Sequence, residues 1–186
     1  MITPEKITFR KLQISDLELM HKWINTPHVS KWYGKEQRTY QQVFQKYAPR
    51  INGQASANPF LVIHAGTPIG YLQTYRLSDH PDYNALVKVD VDTAGVDLFI
   101  GEADYLHRGF GTVILRKFIR EMIFSDDSYS HCVIGPEPGN LAAIRCYEKV
   151  GFQYFKTIHI PSEPQGKYLM RISREELPGQ VTGREV

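Results

Sequence analysis

The chain has 186 residues, of which 42% are hydrophobic, and its 22 basic and 20 acidic side chains leave a net charge of +2. These values predict one globular domain over residues 1–177 and give no argument for a nucleic-acid partner. No apolar run approaches the ~20 residues of a membrane span, and the first ten residues have no apolar signal-peptide region, so we expect a cytoplasmic protein without a membrane partner. The two cysteines both lie within apolar patterns, so we expect neither a disulfide framework nor a metal site.

The first third of the chain predicts a strand followed by two helices. Apolar and polar residues alternate from Ile7, which is the period of a strand. The residues 15–18 then form a capping-box pattern that opens a helix, and this helix should end before Pro27. A second helix is expected over about 39–47. Between the two helices lies Trp32, which suits either a core position or the wall of a substrate cleft.

Two strand patterns at 58–65 and 68–75 are predicted to form a hairpin. Gly66 lies between them and can supply the positive φ of a tight turn. Alternation along the second strand places Gln73 and Tyr75 on the same face. We therefore expect these two polar side chains to project together from the sheet.

The segment 76–95 is too polar and too interrupted to be a single element. It carries four aspartates: Asp79, Asp82, Asp90 and Asp92. Aspartate is common in turns because its side chain bonds nearby backbone groups. Four carboxylates close together would also attract a polyamine, and both interpretations stay open.

The chain is organised around the stretch 97–111. A short apolar strand leads through a polar turn to His107-Arg108-Gly109-Phe110-Gly111, and apolar residues then recur every three or four positions as far as Ile123, which predicts a long amphipathic helix. Amides at a helix start lack internal partners, and glycines let a phosphate approach them. The turn therefore predicts an anion site to which Arg108 adds a contact, although the same glycines also suit a plain tight junction.

A second motif, NLAAIRCYEKVGF, occupies residues 140–152. Asn140 is a typical helix N-cap residue, and Gly151 is typical of a helix end. The motif therefore predicts a short helix that ends at this glycine.

The last elements are predicted to be strands. One strand at 131–134 precedes the second motif, and two more, at 152–160 and 167–173, follow it and are joined by a loop that contains Glu163. We expect the tail 178–186 to be disordered.

Both motifs resemble those of the GCN5-related N-acetyltransferases (GNAT). Arg108-Gly109-Phe110-Gly111 is similar to the family's pyrophosphate loop for acetyl-CoA, although Leu106 stands where that loop usually begins with Gln or Arg. The pattern N-x-x-A-x-x-x-Y-x-K-x-G-F at 140–152 is similar to the family's second signature. The resemblance spans about residues 7–170. It implies an α/β (α+β) GNAT fold, with a mixed central sheet of about six or seven strands, splayed central strands and flanking helices.

The resemblance also implies where acetyl-CoA binds as co-substrate. Backbone amides around Phe99 and Ile100 would orient the thioester carbonyl, and Asn140 would contact the pantetheine arm or cap its own helix. The cofactor-binding residues expected in this way are Phe99, Ile100, His107, Arg108, Gly109, Phe110, Gly111, Thr112 and Asn140.

Acetyl transfer to an amine requires one group that receives a proton and one that returns it. An alkyl ammonium has a pKa near 10 and is almost wholly protonated at neutral pH. Asp97 is expected to receive its proton, directly or through water, and to hold the ammonium electrostatically. Tyr147 is expected to return a proton to the thiolate, because a phenol is protonated at neutral pH. The alternative is a tyrosine that only packs between helix and sheet.

A closer resemblance is to the aminoglycoside 6'-N-acetyltransferases, in GYLQTY, AGVD, HRGFGT and above all the second motif. It implies acetylation of a small polycationic amine, the 6'-amine of an aminoglycoside, and antibiotic resistance. One carboxylate of those enzymes is absent, because Gly135 stands at its position and Glu137 is the nearest acid. The substrate-binding residues expected are Trp32, Gln73, Tyr75, Asp82, Asp97, Glu137 and Glu163.

Two other functions stay open. One is acylation of a siderophore precursor or another small amine, and the other is acyl-CoA binding without catalysis. The oligomeric state is expected to be a monomer or a homodimer.

Overall fold

A computed structural model describes residues 2–34, 36–89, 92–160 and 163–178. Its strands are β1 (Ile7–Lys11), β2 (Asn58–His64), β3 (Thr67–Arg76), β4 (Thr93–Ile100), β5 (His131–Ile134), β6 (Gln153–Ile160) and β7 (Glu163–Ser173). Its helices are α1 (Leu17–Ile24), α2 (Pro27–Ser30), α3 (Tyr40–Ile51), α4 (Pro81–Val87), α5 (Phe110–Phe118) and α6 (Leu141–Val150). A π-helical turn, Ile119–Ile123, continues α5, and short 3-10 turns occur at Pro4–Lys6, Ile14–Asp16, Leu77–Asp79 and Ala103–Tyr105. None of the helices in these ranges combines the length and the apolar content that crossing a bilayer requires.

The strands form one mixed sheet in the order β1-β2-β3-β4-β5-β7-β6. Every neighbouring pair is antiparallel except β4 and β5, which are parallel. The parallel pairing begins at Thr93 with His131 and ends at Gly95 with Val133. Beyond Gly95, β4 stays paired with β3 alone, so a gap opens between the two central strands. The predicted mixed, splayed sheet is confirmed, with seven strands.

Helices cover both faces of this sheet. α5 and α6 pack on one face, where Phe118 of α5 and Val150 of α6 are fully buried. α1 and α3 pack on the other face, with Trp23 and Tyr47 fully buried against Tyr71 of β3. Burial of these large side chains is the main force that holds the layers together.

The long amphipathic helix predicted as far as Ile123 is confirmed over α5, but the last five residues of the pattern form the π-helical turn. Ile114, Leu115 and Phe118 are buried, whereas Met122 is 39% exposed. Since the π-helical turn has more residues per turn than an α-helix, it turns Met122 away from the core and keeps Ile123 inside.

Several boundaries differ from those predicted. The N-terminal cap of the first helical segment is formed by Gln13 and Asp16, whose carboxylate accepts from the Gln13 amide at 2.7 Å. Glu163 does not lie in a loop, because β7 already begins there.

The hairpin turn is confirmed, since Ala65 and Gly66 both have positive φ. Residues 179–186 of the expected disordered tail, and Asp90 of the acidic segment, lie outside the described residues.

Candidate active site

The gap between β4 and β5 opens into a cleft of about 120 Å³. It brings together residues from the turn that follows α2, from β4, from β5 and its loop to α6, from α6 and from β7. The cleft is lined by Trp32, Tyr33, Asp97, Leu98, Ile134, Gly135, Pro136, Glu137, Asn140, Tyr147, Glu163 and Lys167.

Asp97 and Tyr147 reach this cleft from opposite faces of the sheet. Asp97 lies on β4 in register with Gln73 and shares the face of α1 and α3. Tyr147 lies on α6, belongs to the core beneath α5 and α6, and is 7% exposed. Burial raises the pKa of the Tyr147 phenol, and Cys146 and Asp97 raise it further. The phenol therefore stays protonated at neutral pH and can donate a proton.

Gln73 holds Asp97 from behind and does not line the cleft. Its Nε2 donates to Oδ2 of Asp97 at 2.6 Å. Its Oε1 accepts from the Tyr71 hydroxyl at 2.8 Å and from Nη1 of Arg50 at 2.5 Å. Only 6% of Gln73 is exposed, so the chain Arg50–Gln73–Asp97 orients the carboxylate from inside the protein.

The backbone of β4 presents its amides to the gap at alternate residues. Gly101 donates to the carbonyl of Ile69 at 2.9 Å, and this pair lies one residue beyond Gly70 and Ile100, the terminal pair of the β3–β4 register. Hydrogen-bonded pairs recur every second residue in an antiparallel ladder, so the amide of Phe99 is also directed at β3. The amides of Leu98 and Ile100 face the gap instead. The expectation for Ile100 fits this geometry, whereas Leu98 takes the place that was expected for Phe99.

The turn before α5 has the backbone that an anion site needs. Both His107 and Gly109 have positive φ, at 56° and 87°, and Gly109 is the N-cap residue of α5. The next amides, those of Phe110, Gly111 and Thr112, lie in the first turn of the helix, where they have no intrahelical acceptor. The turn therefore fits the pyrophosphate of a CoA ester, since Gly109 and Gly111 have no side chain that would cover these amides.

The side chains around this turn hold it in place. Arg108 is exposed, and its Nη1 donates to the carbonyl of Asp104 at 3.0 Å. Thr112 contacts Cys146, with Oγ1 and Sγ 3.5 Å apart, and a Cβ on Gly111 would lie 3.0 Å from the same sulfur. Contact between α5 and α6 thus fixes the turn relative to Tyr147, the residue that follows Cys146.

Asn140 both caps α6 and lines the cleft. Its Oδ1 accepts from the amide of Ala143 at 3.2 Å, which is the N-cap contact. The side-chain NH₂ remains available to donate into the cleft. Both of the roles expected for Asn140 are therefore compatible.

The acceptor side of the cleft contains an aromatic wall and two further carboxylates. Trp32 lies across from the β5–α6 loop, with its Cη2 4.0 Å from where a Cβ on Gly139 would be. Glu137 and Glu163 line the same cleft as Asp97. Three carboxylates facing one space would attract a cation.

Besides Gln73, two more of the expected substrate residues lie outside this lining. Asp82 is exposed on α4. Tyr75 packs over Gly95, where a Cβ would lie 2.4 Å from the ring, and its ring centroid is 4.9 Å from that of His80. Burial and the charge of Asp97 raise the pKa of Tyr75.

Tyr83 is a candidate residue that the sequence did not indicate. It is partly buried on α4, and burial together with the charges of Asp97 and Glu163 raises the pKa of its phenol. Nζ of Lys167, which lines the cleft, lies 6.0 Å from the centroid of the Tyr83 ring, so Tyr83 lies close to the cleft. The sequence of the segment 76–95 predicts no single element, so it gives no signal for a helix at this position.

A parallel strand pair that splays apart beside an amide-lined helix start, with a carboxylate and a buried phenol at the gap, defines an acyl-CoA-dependent acyltransferase. Residues 13–160 match the family model for the acetyltransferase (GNAT) domain. The chain belongs to the GNAT family, as the two sequence motifs predicted, and uses acetyl-CoA as its co-substrate.

Aminoglycoside acetyltransferases are similar in both sequence and structure. The chain is 33% identical over 162 residues to aminoglycoside N(6')-acetyltransferase type 1 of Klebsiella pneumoniae, covering 86% of this chain and 80% of the relative. A structure of AAC(6')-Ib with paromomycin and acetyl-CoA matches with a TM-score of 0.84 and 30% identity, over 92% of this chain and 95% of that one. A structure of AAC(6')-Ib with coenzyme A and kanamycin matches with a TM-score of 0.83 and 30% identity, over 91% and 96%. The closer resemblance seen in the sequence is confirmed.

Proposed function

We propose that the protein transfers the acetyl group of acetyl-CoA to the 6'-amine of an aminoglycoside and so confers resistance to such drugs in the cytoplasm. The observation that carries the proposal is the single cleft in which Asp97, Tyr147 and two further carboxylates meet beside the opened β4–β5 pair. The similar structures bound to aminoglycosides support the choice of acceptor.

Backbone amides of β4 would bind the thioester carbonyl, and side chains on both sides of the β4–β5 gap would transfer protons. Acetyl-CoA, when bound, supplies an acyl group on a thioester with a thiolate as the leaving group. The amides of Leu98 and Ile100 are placed to bind the carbonyl oxygen, where negative charge develops during acyl transfer. Asp97 takes a proton from the amine, directly or through water, and Tyr147 gives a proton to the departing sulfur.

Charge and shape orient the acceptor. Asp97, Glu137 and Glu163 draw a cation into the cleft, and Trp32 forms the wall opposite Gly139. Because Asp82 and Tyr75 lie outside the lining, we propose that they contact only the part of the acceptor that extends beyond the cleft.

The experiment that tests the proposal measures free thiol released from acetyl-CoA by the purified protein. Kanamycin and tobramycin should release thiol, and the same drugs blocked at the 6'-amine should not. Release that persists with the blocked drugs would refute the position of transfer. Release with N-hydroxylysine or another small amine, but with no aminoglycoside, would favour that acceptor class, and no release with any amine would indicate an acyl-CoA-binding module.

An active-site variant and its control complete the test. Asp97→Asn should lower kcat and raise KM for the amine, whereas Asp92→Asn, which makes the same change at an exposed position before β4, should leave both unchanged. Sedimentation analysis of the same samples would test the prediction of a monomer or a homodimer.

A further inference from the structure

The acceptor cleft contains a lysine beside one of its carboxylates. Lys167 of β7 lines the cleft, and its Nζ lies 3.4 Å from Oε2 of Glu163. The two side chains are 22% and 43% exposed. Of the three carboxylates in the cleft, Glu163 is therefore already paired with an ammonium group from the protein itself.

A bulge in β7 builds this ion pair. Residues four apart in an extended strand are separated by roughly 13 Å, which is too far for a short ion pair. Here Ile158 of β6 is opposite Lys167, whereas Ile160 is opposite Glu163, so four steps along β7 match only two along β6. The bulge requires Gly166, which has a φ of 71° and whose Cβ would lie 2.8 Å from the carbonyl oxygen of Ile158.

The stem of Lys167 also fills the space in front of Gly135. A Cβ on Gly135 would lie 3.2 Å from Cδ of Lys167 and 2.9 Å from Cδ2 of Leu169. A carboxylate cannot be carried at position 135 unless both neighbours move. Position 135 is where the resemblance implies an acidic residue in the aminoglycoside enzymes. Here the basic side chain of Lys167 fills the space that such a residue would need.

The positive charge of Lys167 acts in a region that already contains other cations. Burial and Arg50 lower the pKa of Lys46 on α3, Asp97 opposes them, and Arg38 and Lys167 lower this pKa further.

We infer that Lys167 determines acceptor specificity by competing, as an internal ammonium group, with a substrate ammonium for Glu163. The inference rests on the proposed function and deepens it. The favoured acceptor places one ammonium group at Asp97 and a hydroxyl or an anionic group, not a second ammonium, at Lys167. Aminoglycosides with an ammonium group at that position bind weakly until Lys167 is displaced.

The experiment measures kanamycin binding by calorimetry, together with acetylation kinetics, for a double-mutant cycle. Lys167→Gln should lower the Kd for kanamycin about fivefold, the factor that one near-surface ion pair gives, with kcat within about twofold. Glu163→Gln should raise Kd less than about twofold in the natural chain, because its carboxylate is already paired, but about fivefold in the Lys167→Gln background. Lys11→Gln makes the same charge change at an exposed site on the edge strand β1, and it should leave Kd unchanged.

Three results would overturn the inference. The first is an unchanged Kd for kanamycin in Lys167→Gln, and the second is a higher Kd in that variant. The third is an equal effect of Glu163→Gln on Kd in the natural chain and in the Lys167→Gln background. Acetyl-CoA affinity and the midpoint of thermal unfolding, measured on each variant, show that the fold is retained. Failure of the proposed function can be distinguished from failure of this inference. If the proposed function is wrong, the natural chain releases no thiol with kanamycin. Calorimetry tests the effect of Lys167 on binding without any turnover.

Discussion

The side-chain amide of Gln73 donates a hydrogen bond to the carboxylate of Asp97, with Nε2 2.6 Å from Oδ2. The other end of the same amide accepts from Arg50 and Tyr71. This hydrogen bond fixes Oδ2 of Asp97 through a side chain that does not itself line the cleft. We therefore propose that Gln73 positions Asp97, whereas the family resemblance implies that it contacts the substrate.

Gln73→Leu should lower kcat/KM roughly 10- to 100-fold, because a displaced general base loses its alignment with the amine. It should also lower the free energy of unfolding by about 1–3 kcal/mol, since buried groups of Arg50 and Tyr71 lose their acceptor. Steady-state kinetics and urea denaturation measure the two effects. Gln41→Leu, an identical change at an exposed position on α3, is the control. A Gln73→Leu variant with normal kcat/KM would show that Asp97 needs no such support.

Tyr147→Phe should lower kcat about 10²- to 10⁴-fold, the contribution of one general acid, while the Kd for acetyl-CoA stays nearly constant. The phenyl ring keeps the packing of a side chain that is 7% exposed, and only the hydroxyl is lost. Single-turnover kinetics and calorimetry separate the two quantities. Tyr154→Phe removes a hydroxyl from a tyrosine that is 53% exposed on β6, and it should change neither. An equal loss of acetyl-CoA affinity in Tyr147→Phe would argue for a packing role.

The pH profile follows from the direction of the Tyr147 shift. Burial raises the pKa of this phenol above its ordinary value near 10. The active form is the protonated one, so a raised pKa moves any loss of activity to higher pH. We expect kcat/KM to rise as the acceptor amine loses its proton and to show no descending limb below about pH 10. A descending limb near pH 8–9 that disappears in Tyr147→Phe would contradict this assignment.

Local patterns predicted the elements that depend on near neighbours in the chain. The stripe from Ile114 to Phe118 predicted α5, Gly66 predicted the hairpin turn, and Asn140 and Gly151 predicted both ends of α6. Each of these depends on residues within one or two turns of one another. The two motifs also predicted the splayed sheet and the cleft through family resemblance, which periodicity alone could not supply.

The features that were missed depend on register between distant segments. Alternation placed Gln73 on the correct face of β3, but the partner that it holds there lies 24 residues away. The Glu163–Lys167 pair exists only because β7 bulges at Gly166 against β6. The backbone amide of Leu98, and not that of Phe99, faces the β4–β5 gap, and this depends on which residues of β4 pair with β3. None of these can be read from composition or local period, because a slip of one residue exchanges the two faces of a strand.

Gly109→Ala should weaken acetyl-CoA binding, because the turn that aims the first amides of α5 has a φ of 87° at this position. An alanine there strains the backbone and turns the amides of Phe110 and Gly111 away from the pyrophosphate, so we expect the Kd for acetyl-CoA to rise about tenfold. Calorimetry measures this Kd, and thermal unfolding measures the accompanying loss of stability.

Gly53→Ala separates the two effects of Gly109→Ala. Gly53 has a φ of 71°, and a Cβ there would meet no heavy atom within 4 Å, so alanine brings similar backbone strain without any contact to the loop. Both variants should lose about 1 kcal/mol or more of stability, and only Gly109→Ala should change the affinity for acetyl-CoA. If the two variants bind acetyl-CoA equally well, the amides before α5 do not hold its pyrophosphate, and the assignment of this turn must be abandoned.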